Sequence, residues 1–340
     1  MNAQIATATV LPVIDALNRP LRELRLSVIE TCNFRCPYCM PEGSVPDELL
    51  GAHNRLSFAE IETVARSFIK HGVSKIRLTG GEPLLRKNLA QLVAQLKTIS
   101  GLDDLALTTN GSLLAAQALA LKHAGLDRIT VSVDALDATI FKQMSGGRGE
   151  IAAVLQGIEA AKQAGFKQIK INCVVQRGVN EAQMLPLLDY CLQQGHVLRF
   201  IEFMDVGSCN NWQASQVFSV HEMHALITSK YTLQALSKNT LGEVAERYSV
   251  NNGVGEVGFI ASVSKPFCGD CNRARLSADG KLFTCLFASA GFDLCALIKQ
   301  PELLDLELAS LWRHRSDRYS EIRHAAVSDR KKIEMYFIGG

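Results

Sequence analysis

The sequence predicts an α/β fold built on a parallel sheet. Between residues 21 and 204, six short β-branched apolar runs alternate with longer stretches of helical spacing. Gly72, Gly125, Gly165 and Gly195 each follow a helical stretch, where a left-handed residue closes the helix. Strands separated by helices pair in parallel through crossovers. The sheet then closes into a (β/α) barrel or partial barrel, or stays open and doubly wound.

The strand candidates are Leu24–Ile29, Lys75–Thr79, Leu105–Thr109, Arg128–Val133, Gln168–Val175 and Val197–Phe203. Helix candidates fill 57–71, 88–99, 113–124, 150–164 and 181–194. Ser57 and Glu60 form a capping-box pattern at the first of these. Residues 1–20 form an N-terminal extension. Residues 205–260 break the alternation, are rich in Asn, Gly and Ser, and read as a connector and lid with one helix near 219–230. Residues 261–340 form a C-terminal region with a hairpin turn at Ala278-Asp279-Gly280 and a helix over 302–313.

Composition narrows the function. Of 340 residues, 47% are hydrophobic and 21% charged, the balance of a chain with ample core. Lysines and arginines number 36 against 34 acidic residues, a net charge of +2. That argues against nucleic-acid or acidic-membrane partners. No apolar run reaches a membrane span, and Met1–Pro20 lacks the pattern of a secretory signal, so a reducing cytoplasm is expected. There the ten cysteines are poor disulfide candidates.

Three of them stand directly after the first strand, as Cys32-x3-Cys36-x2-Cys39. Structural zinc prefers four ligands, whereas three thiolates in one loop suit a 4Fe–4S cluster with one iron left open. The end of a parallel strand is where such sheets bind ligands. A second set reads Cys268-x2-Cys271-x13-Cys285, again with three thiols, and none of the eight histidines lies between them. Zinc completed by a remote ligand is the alternative at each set. Cys295 is the nearest local thiol to the second, but its apolar setting favours burial. Arg273 and Arg275 lie two apart, hence on one face of an extended segment. Arg25 and Arg77 sit among apolar strand neighbours, point inward, and need an anionic partner there.

The first cysteine loop, with Tyr38 before its last cysteine, resembles the radical S-adenosylmethionine superfamily. Gly80-Gly81-Glu82-Pro83, Ser132 and Met204 match further features of that superfamily. The second triad, Thr108-Thr109-Asn110-Gly111, Asn272-Arg273-Ala274-Arg275 and the terminal Gly339-Gly340 narrow the likeness, over nearly the whole chain, to the GTP 3′,8-cyclase family of molybdenum cofactor biosynthesis. The resemblance implies a partial (β/α)6 TIM-type barrel with a C-terminal extension carrying a second iron–sulfur cluster. Its cofactors would be two 4Fe–4S clusters, on Cys32, Cys36 and Cys39 and on Cys268, Cys271 and Cys285, together with S-adenosylmethionine beside Tyr38, Gly81, Ser132 and Met204. GTP would meet Arg25, Arg77, Thr108, Lys170, Arg273, Ala274 and Arg275. Arg273, Arg275 and the tail residues Gly339 and Gly340 would act in catalysis. A 5′-deoxyadenosyl radical would take the ribose 3′ hydrogen of GTP, and the carbon radical would close onto purine C8. Flavodoxin or ferredoxin would supply electrons, and cyclic pyranopterin monophosphate synthase would receive the product. The chain would be a monomer or homodimer. A radical enzyme acting on a peptide or another small molecule, and a zinc-stabilised binding module, are the competing readings.

His221-Glu222-Met223-His224 has its histidines three apart and does not match a metalloprotease helix. Cys173, Cys191 and Cys209 are isolated and expected to be buried. Gly146-Gly147-Arg148-Gly149 reads as a turn.

Overall fold

The structure, a computed structural model, describes residues 12–43, 54–238, 242–323 and 332–340. Six strands, β1 (Glu23–Ser27), β2 (Lys75–Thr79), β3 (Asp104–Thr109), β4 (Arg128–Ser132), β5 (Lys170–Val175) and β6 (Val197–Glu202), pair in parallel and in sequence order. Helices α1 (Phe58–Lys70), α2 (Leu89–Lys97), α3 (Leu114–His123), α4 (Ala138–Met144), α5 (Ile151–Gln163) and α6 (Met184–Gln194) connect them. The predicted strands and helices are recovered to within a few residues, and the sheet takes the partial-barrel form, one of those the alternation allowed and the one the resemblance implied. The short α4 escaped the sequence reading, although Asp137 caps it by accepting from the Thr139 and Ile140 amides at 2.9 Å.

Every core strand alternates. Leu24, Leu26, Ile76, Leu78, Leu105, Leu107, Ile129, Val131, Ile171, Leu198 and Phe200 are wholly or almost wholly buried in the main apolar core. Burying one such side chain is worth about 1.5–3 kcal/mol. The residues between them, such as Glu23, Arg25, Lys75, Arg77, Thr108, Thr130 and Arg199, line cavities in the lumen. A period of two thus separates an apolar shell from a polar interior.

The connector-and-lid reading of 205–260 is corrected. After α7 (Val220–Thr228) come β7 (Leu233–Leu236), β8 (Glu246–Val250) and β9 (Gly255–Ile260), which extend the same sheet. β9 pairs parallel to β6, and β8 and β7 follow antiparallel. On the opposite edge β10 (Arg273–Leu276) pairs parallel to β1, followed by β11 (Lys281–Phe283) and β12 (Phe292–Asp293). Eight adjacent strands, from β10 through β6 to β9, therefore run in one direction. The long gaps between these partners hid the pairing, because non-local strands leave no mark in local spacing. Helices α8 (Cys295–Ile298), α9 (Pro301–Arg313), α10 (Tyr319–Ile322) and α11 (Met335–Ile338) complete the order.

Buried Glu202, at the end of β6, ties these parts together. It accepts from the Val220 amide at 2.8 Å, the Val263 and Ser264 amides at 2.7 and 2.8 Å, and the Ser264 hydroxyl at 2.5 Å. Removing it leaves three part-buried amides on two segments without this acceptor. Glu202→Ala is expected to lower unfolding free energy by about 3 kcal/mol, read from urea denaturation; a loss within experimental error would contradict this role.

Candidate active site

Strand direction places the two thiol triads at opposite ends of the lumen. Cys32, Cys36 and Cys39 follow the C-terminal end of β1. Cys268 and Cys271 precede the N-terminal end of β10, which is parallel to β1. Cys285 follows β11, which is antiparallel to β10, and so returns to that same end.

The upper loop is fastened from several sides. Gly80 and Gly81 lie against its backbone: the Gly81 amide donates to the Ile29 carbonyl at 2.7 Å, and Glu82 to that of Thr31 at 2.8 Å. A Cβ on Gly81 would sit 2.1 Å from the Thr31 oxygen. The missing side chains admit the cysteine loop against this turn. Buried Glu82 accepts from the Thr109 hydroxyl at 2.6 Å and the Asn110 amide at 2.7 Å, and burial raises its pKa to about 7. Tyr38 donates to Asp134 at 2.7 Å, and Asp134 accepts the Val174 amide at 2.8 Å. The Cys32 sulfur accepts from the Phe34 amide at 3.3 Å.

At the lower end, the Cys271 sulfur accepts from Arg315 at 3.2 Å, and the Cys285 sulfur from the Phe287 amide at 3.5 Å. Burial pushes the Cys271 thiol up, but Arg273 and Arg315 outweigh it and hold the pKa at about 6. N–H donors on sulfur favour thiolate, the form that ligates iron, while burial pushes the Cys32, Cys36, Cys39 and Cys285 thiols up, so those would lose their protons on taking the metal; three thiols at each end fit an iron–sulfur cluster. Among the described residues no three His, Cys, Asp or Glu side chains are arranged for a single metal ion.

Between the ends lies a chamber of about 250 Å³, lined by Tyr38, Ser132 and Met204 above and by Cys268, Cys271 and Cys285 below. A small cavity of about 30 Å³ joins Cys36 to the same Tyr38, Ser132 and Asp134. The chamber continues past Arg25, Arg77, Arg199 and Arg273 into a basin of about 440 Å³. Eight cationic side chains and three carboxylates line that basin.

Register explains the crowding. Arg275, Arg25 and Arg77 are direct neighbours across β10, β1 and β2, with Arg273, Glu23 and Lys75 one pleat below. Burial and neighbouring Arg275 push the Arg25 pKa far down. Burial lowers Lys75 to about 8, and burial with Arg199 and Arg128 lowers Lys170 to about 7. Arg25 Nε, Arg77 Nε and Arg273 Nε are buried without hydrogen-bond partners among the described residues. Arg77 otherwise donates to the hydroxyls of Thr108 and Thr130, at 3.1 and 3.2 Å. Such an interior calls for a polyanion.

Most predicted residues line the chamber; Cys32, Cys39 and Gly81 do not, and Cys36 lines only the small cavity. Ala274 is fully buried on the opposite face of β10 from Arg273 and Arg275, and its side chain does not reach the chamber. Lys170 lines the basin rather than the chamber. Gly340 lines the chamber, its carbonyl accepts from Thr79 at 3.4 Å, and Arg275 donates to the Gly339 carbonyl. Cys295, expected to be buried, is exposed and donates to the Asp279 carbonyl at 3.3 Å. Cys173 and Cys191 are buried, whereas Cys209 is half-buried. His224 packs 5.2 Å from the Tyr248 ring, a structural role. Sequence reasoning missed Lys75, Arg128 and Arg199. Period-two alternation pointed to Lys75 beside Arg77 and to Arg128 beside Thr130, while Arg199 had no such neighbour.

Known proteins resemble this chain throughout. Residues 26–191 match the Radical SAM superfamily and residues 196–321 match Molybdenum Cofactor Synthesis C. The GTP 3′,8-cyclase of Xanthomonas campestris pv. campestris (strain 8004) is 59% identical over 331 residues, covering 97% of this chain and 98% of the relative. That of Acidothermus cellulolyticus is 44% identical, covering 97% of this chain and 99% of the relative. In fold, the chain superposes on Streptococcus suis SuiB bound to precursor peptide SuiA with a TM-score of 0.64 at 14% identity, over 90% of this chain and 68% of that one.

Gly81→Ala is expected to displace the Thr31 backbone, costing about 1–3 kcal/mol, and to lower both the melting temperature and the iron bound after anaerobic reconstitution. Unchanged values for both would contradict the close packing of these loops.

Proposed function

This chain belongs to the GTP 3′,8-cyclase family, and from that premise we propose how its residues divide the work. It is an enzyme that converts GTP to (8S)-3′,8-cyclo-7,8-dihydroguanosine 5′-triphosphate, the first step of molybdenum cofactor biosynthesis. Its cofactors include S-adenosylmethionine and an iron–sulfur cluster. Cys32, Cys36 and Cys39 would hold that cluster, with Tyr38, Gly81, Ser132 and Met204 around S-adenosylmethionine. Cys268, Cys271 and Cys285 would hold a second 4Fe–4S cluster facing the guanine. When bound, the first cluster and S-adenosylmethionine supply the 5′-deoxyadenosyl radical that takes the ribose 3′ hydrogen.

The chain's own residues bind, orient and screen. GTP carries roughly four negative charges, which guanidinium forks match in planar geometry. Arg25, Arg77 and Lys170 would take the triphosphate, joined by Lys75, Arg128 and Arg199 of the basin. Thr108 keeps Arg77 aimed. Arg273 and Arg275 stand between the second triad and the nucleotide, with Ala274 contributing backbone alone. Gly339 and Gly340 fit between arginines because they carry no side chain. The observation that carries this reading is the cation row shared by β10, β1 and β2, between thiol sets at opposite strand ends. Reduction by flavodoxin or ferredoxin, hand-over to cyclic pyranopterin monophosphate synthase and a cytoplasmic setting complete the proposal. Among the described residues no helix is long and apolar enough to cross a membrane.

Anaerobic incubation with GTP, reductant and S-adenosylmethionine should yield 5′-deoxyadenosine and a nucleotide of GTP's mass, separable by chromatography and mass analysis. Arg25→Met removes a crowded cation. It is expected to weaken GTP binding roughly 10–100-fold while raising the melting temperature of the ligand-free protein. Unchanged GTP affinity would reject the assignment. Lys170 titrates near pH 7 when free, at about 7. A bound polyanion favours its charged form, so above that pH binding takes up protons and affinity falls as pH rises. Calorimetry in buffers of different ionisation enthalpy should detect this uptake, and Lys170→Met should reduce it near pH 7, leaving the part due to Lys75.

A further inference from the structure

The second triad is gripped by charges outside both the core strands and the nucleotide basin. Arg315, just past α9, is 4% exposed. It donates to the Cys271 carbonyl at 2.7 Å, to the Cys271 sulfur at 3.2 Å, and to the carbonyl of Thr284, the neighbour of Cys285, at 3.0 Å. Buried Arg19 donates to the Cys268 carbonyl at 2.9 Å and the Asp317 carbonyl at 2.8 Å. Asp15 joins the two arginines, accepting from Arg19 at 2.6 Å and Arg315 at 3.2 Å. Trp312 lies 4.5 Å beneath the Arg315 guanidinium, and its indole donates to the Arg19 carbonyl at 3.1 Å. One linked set therefore reaches the segments of all three cysteines.

Packing alone does not account for this arrangement. Replacing a buried ion pair by apolar side chains is often neutral or stabilising. Arg315 directs one arm at sulfur although carboxylates of Asp15 and Asp317 are within 3.2 and 3.5 Å. Arg19 Nη2 is buried with no hydrogen-bond partner among the described residues, and Arg19 lines the chamber beside the triad.

We propose that Asp15, Arg19 and Arg315 are positioning residues for the second cluster. They hold its three thiolates in register, and the Arg315 bond to the Cys271 sulfur sets its reduction potential. The proposal rests on the reading of Cys268, Cys271 and Cys285 as cluster ligands. A cationic N–H donor on a ligand sulfur stabilises the reduced, more negative cluster and so raises its potential. Partners behind the ligands typically alter metal affinity 10–100-fold.

The test uses full-length protein carrying Cys32→Ala, Cys36→Ala and Cys39→Ala, reconstituted anaerobically, so that bound iron reports the second triad alone. About four irons per chain are expected; a parent without iron refutes the second-cluster reading itself, before any further variant is made. Redox titration followed by electron paramagnetic resonance then reads the potential. Arg315→Met is expected to make reduction about tenfold less favourable, roughly 59 mV more negative for one electron, and to speed iron loss to a chelator. Asp15→Asn removes a negative charge beside the same guanidinium and is expected to shift the potential upward. Arg315→Lys should restore part of the Arg315→Met shift. Unchanged potentials in an iron-bearing parent, or shifts of the same sign in Arg315→Met and Asp15→Asn, overturn the proposal alone. If Arg315→Met does not fold, the sign of the Asp15→Asn shift decides.

Discussion

Like charges held side by side inside a sheet are the constraint on which this structure turns. Arg275, Arg25 and Arg77 are register neighbours on three adjacent strands, so their side chains leave the same face of the sheet side by side. Glu23, half-buried beside them, keeps its carboxyl far below the usual range: desolvation pushes it up, but Lys75, Arg25, Arg77 and Arg273 outweigh that. One carboxylate does not quench the surrounding cations, and Arg275 is itself lowered to about 10 by burial and by Arg273. Cooperative burial on the other face of the same strands offsets the cost, through Leu24, Leu26, Ile76 and Leu78. The crowded cations thus leave the free protein with unfavourable electrostatics that a bound anion would relieve.

The two ends of the lumen differ in how they are built, and the difference is topological. The upper triad occupies one loop, pinned by a glycine turn whose missing side chains let two backbones touch. The lower triad is split by a hairpin, so its three cysteines depend on distant contacts to converge. Arg19 from the N-terminal segment and Arg315 from the segment after α9 provide them. Within the region first read as an N-terminal extension, the described Arg19 thus bonds directly to the segment that carries Cys268.

Much of this was legible in local sequence. Alternation placed the six core strands, the Ser57 and Glu60 capping box placed the start of α1, and the spacing of the first thiol triad matched the superfamily to which the chain belongs. Arg25 and Arg77 were marked by polarity amid apolar neighbours. The strands of 233–260 were not legible, since β9 joins β6 across a long excursion and its partner is not encoded nearby. Nor was the exposure of Cys295, whose apolar neighbours suggested burial but whose thiol projects toward the Asp279 turn.

By itself the sequence determined the two cysteine spacings and which face of each core strand is apolar, because a period of two and a cysteine spacing are properties of neighbours along the chain. Only the tertiary structure decided that β10 lies parallel beside β1, which aligns Arg275 with Arg25 and sends the second triad to the far end of the lumen. Strand order and direction arise from contacts between segments some 250 residues apart, roughly the separation of β1 from β10. Local patterning specifies each segment, but the pairing emerges when the whole apolar shell closes around its charged interior.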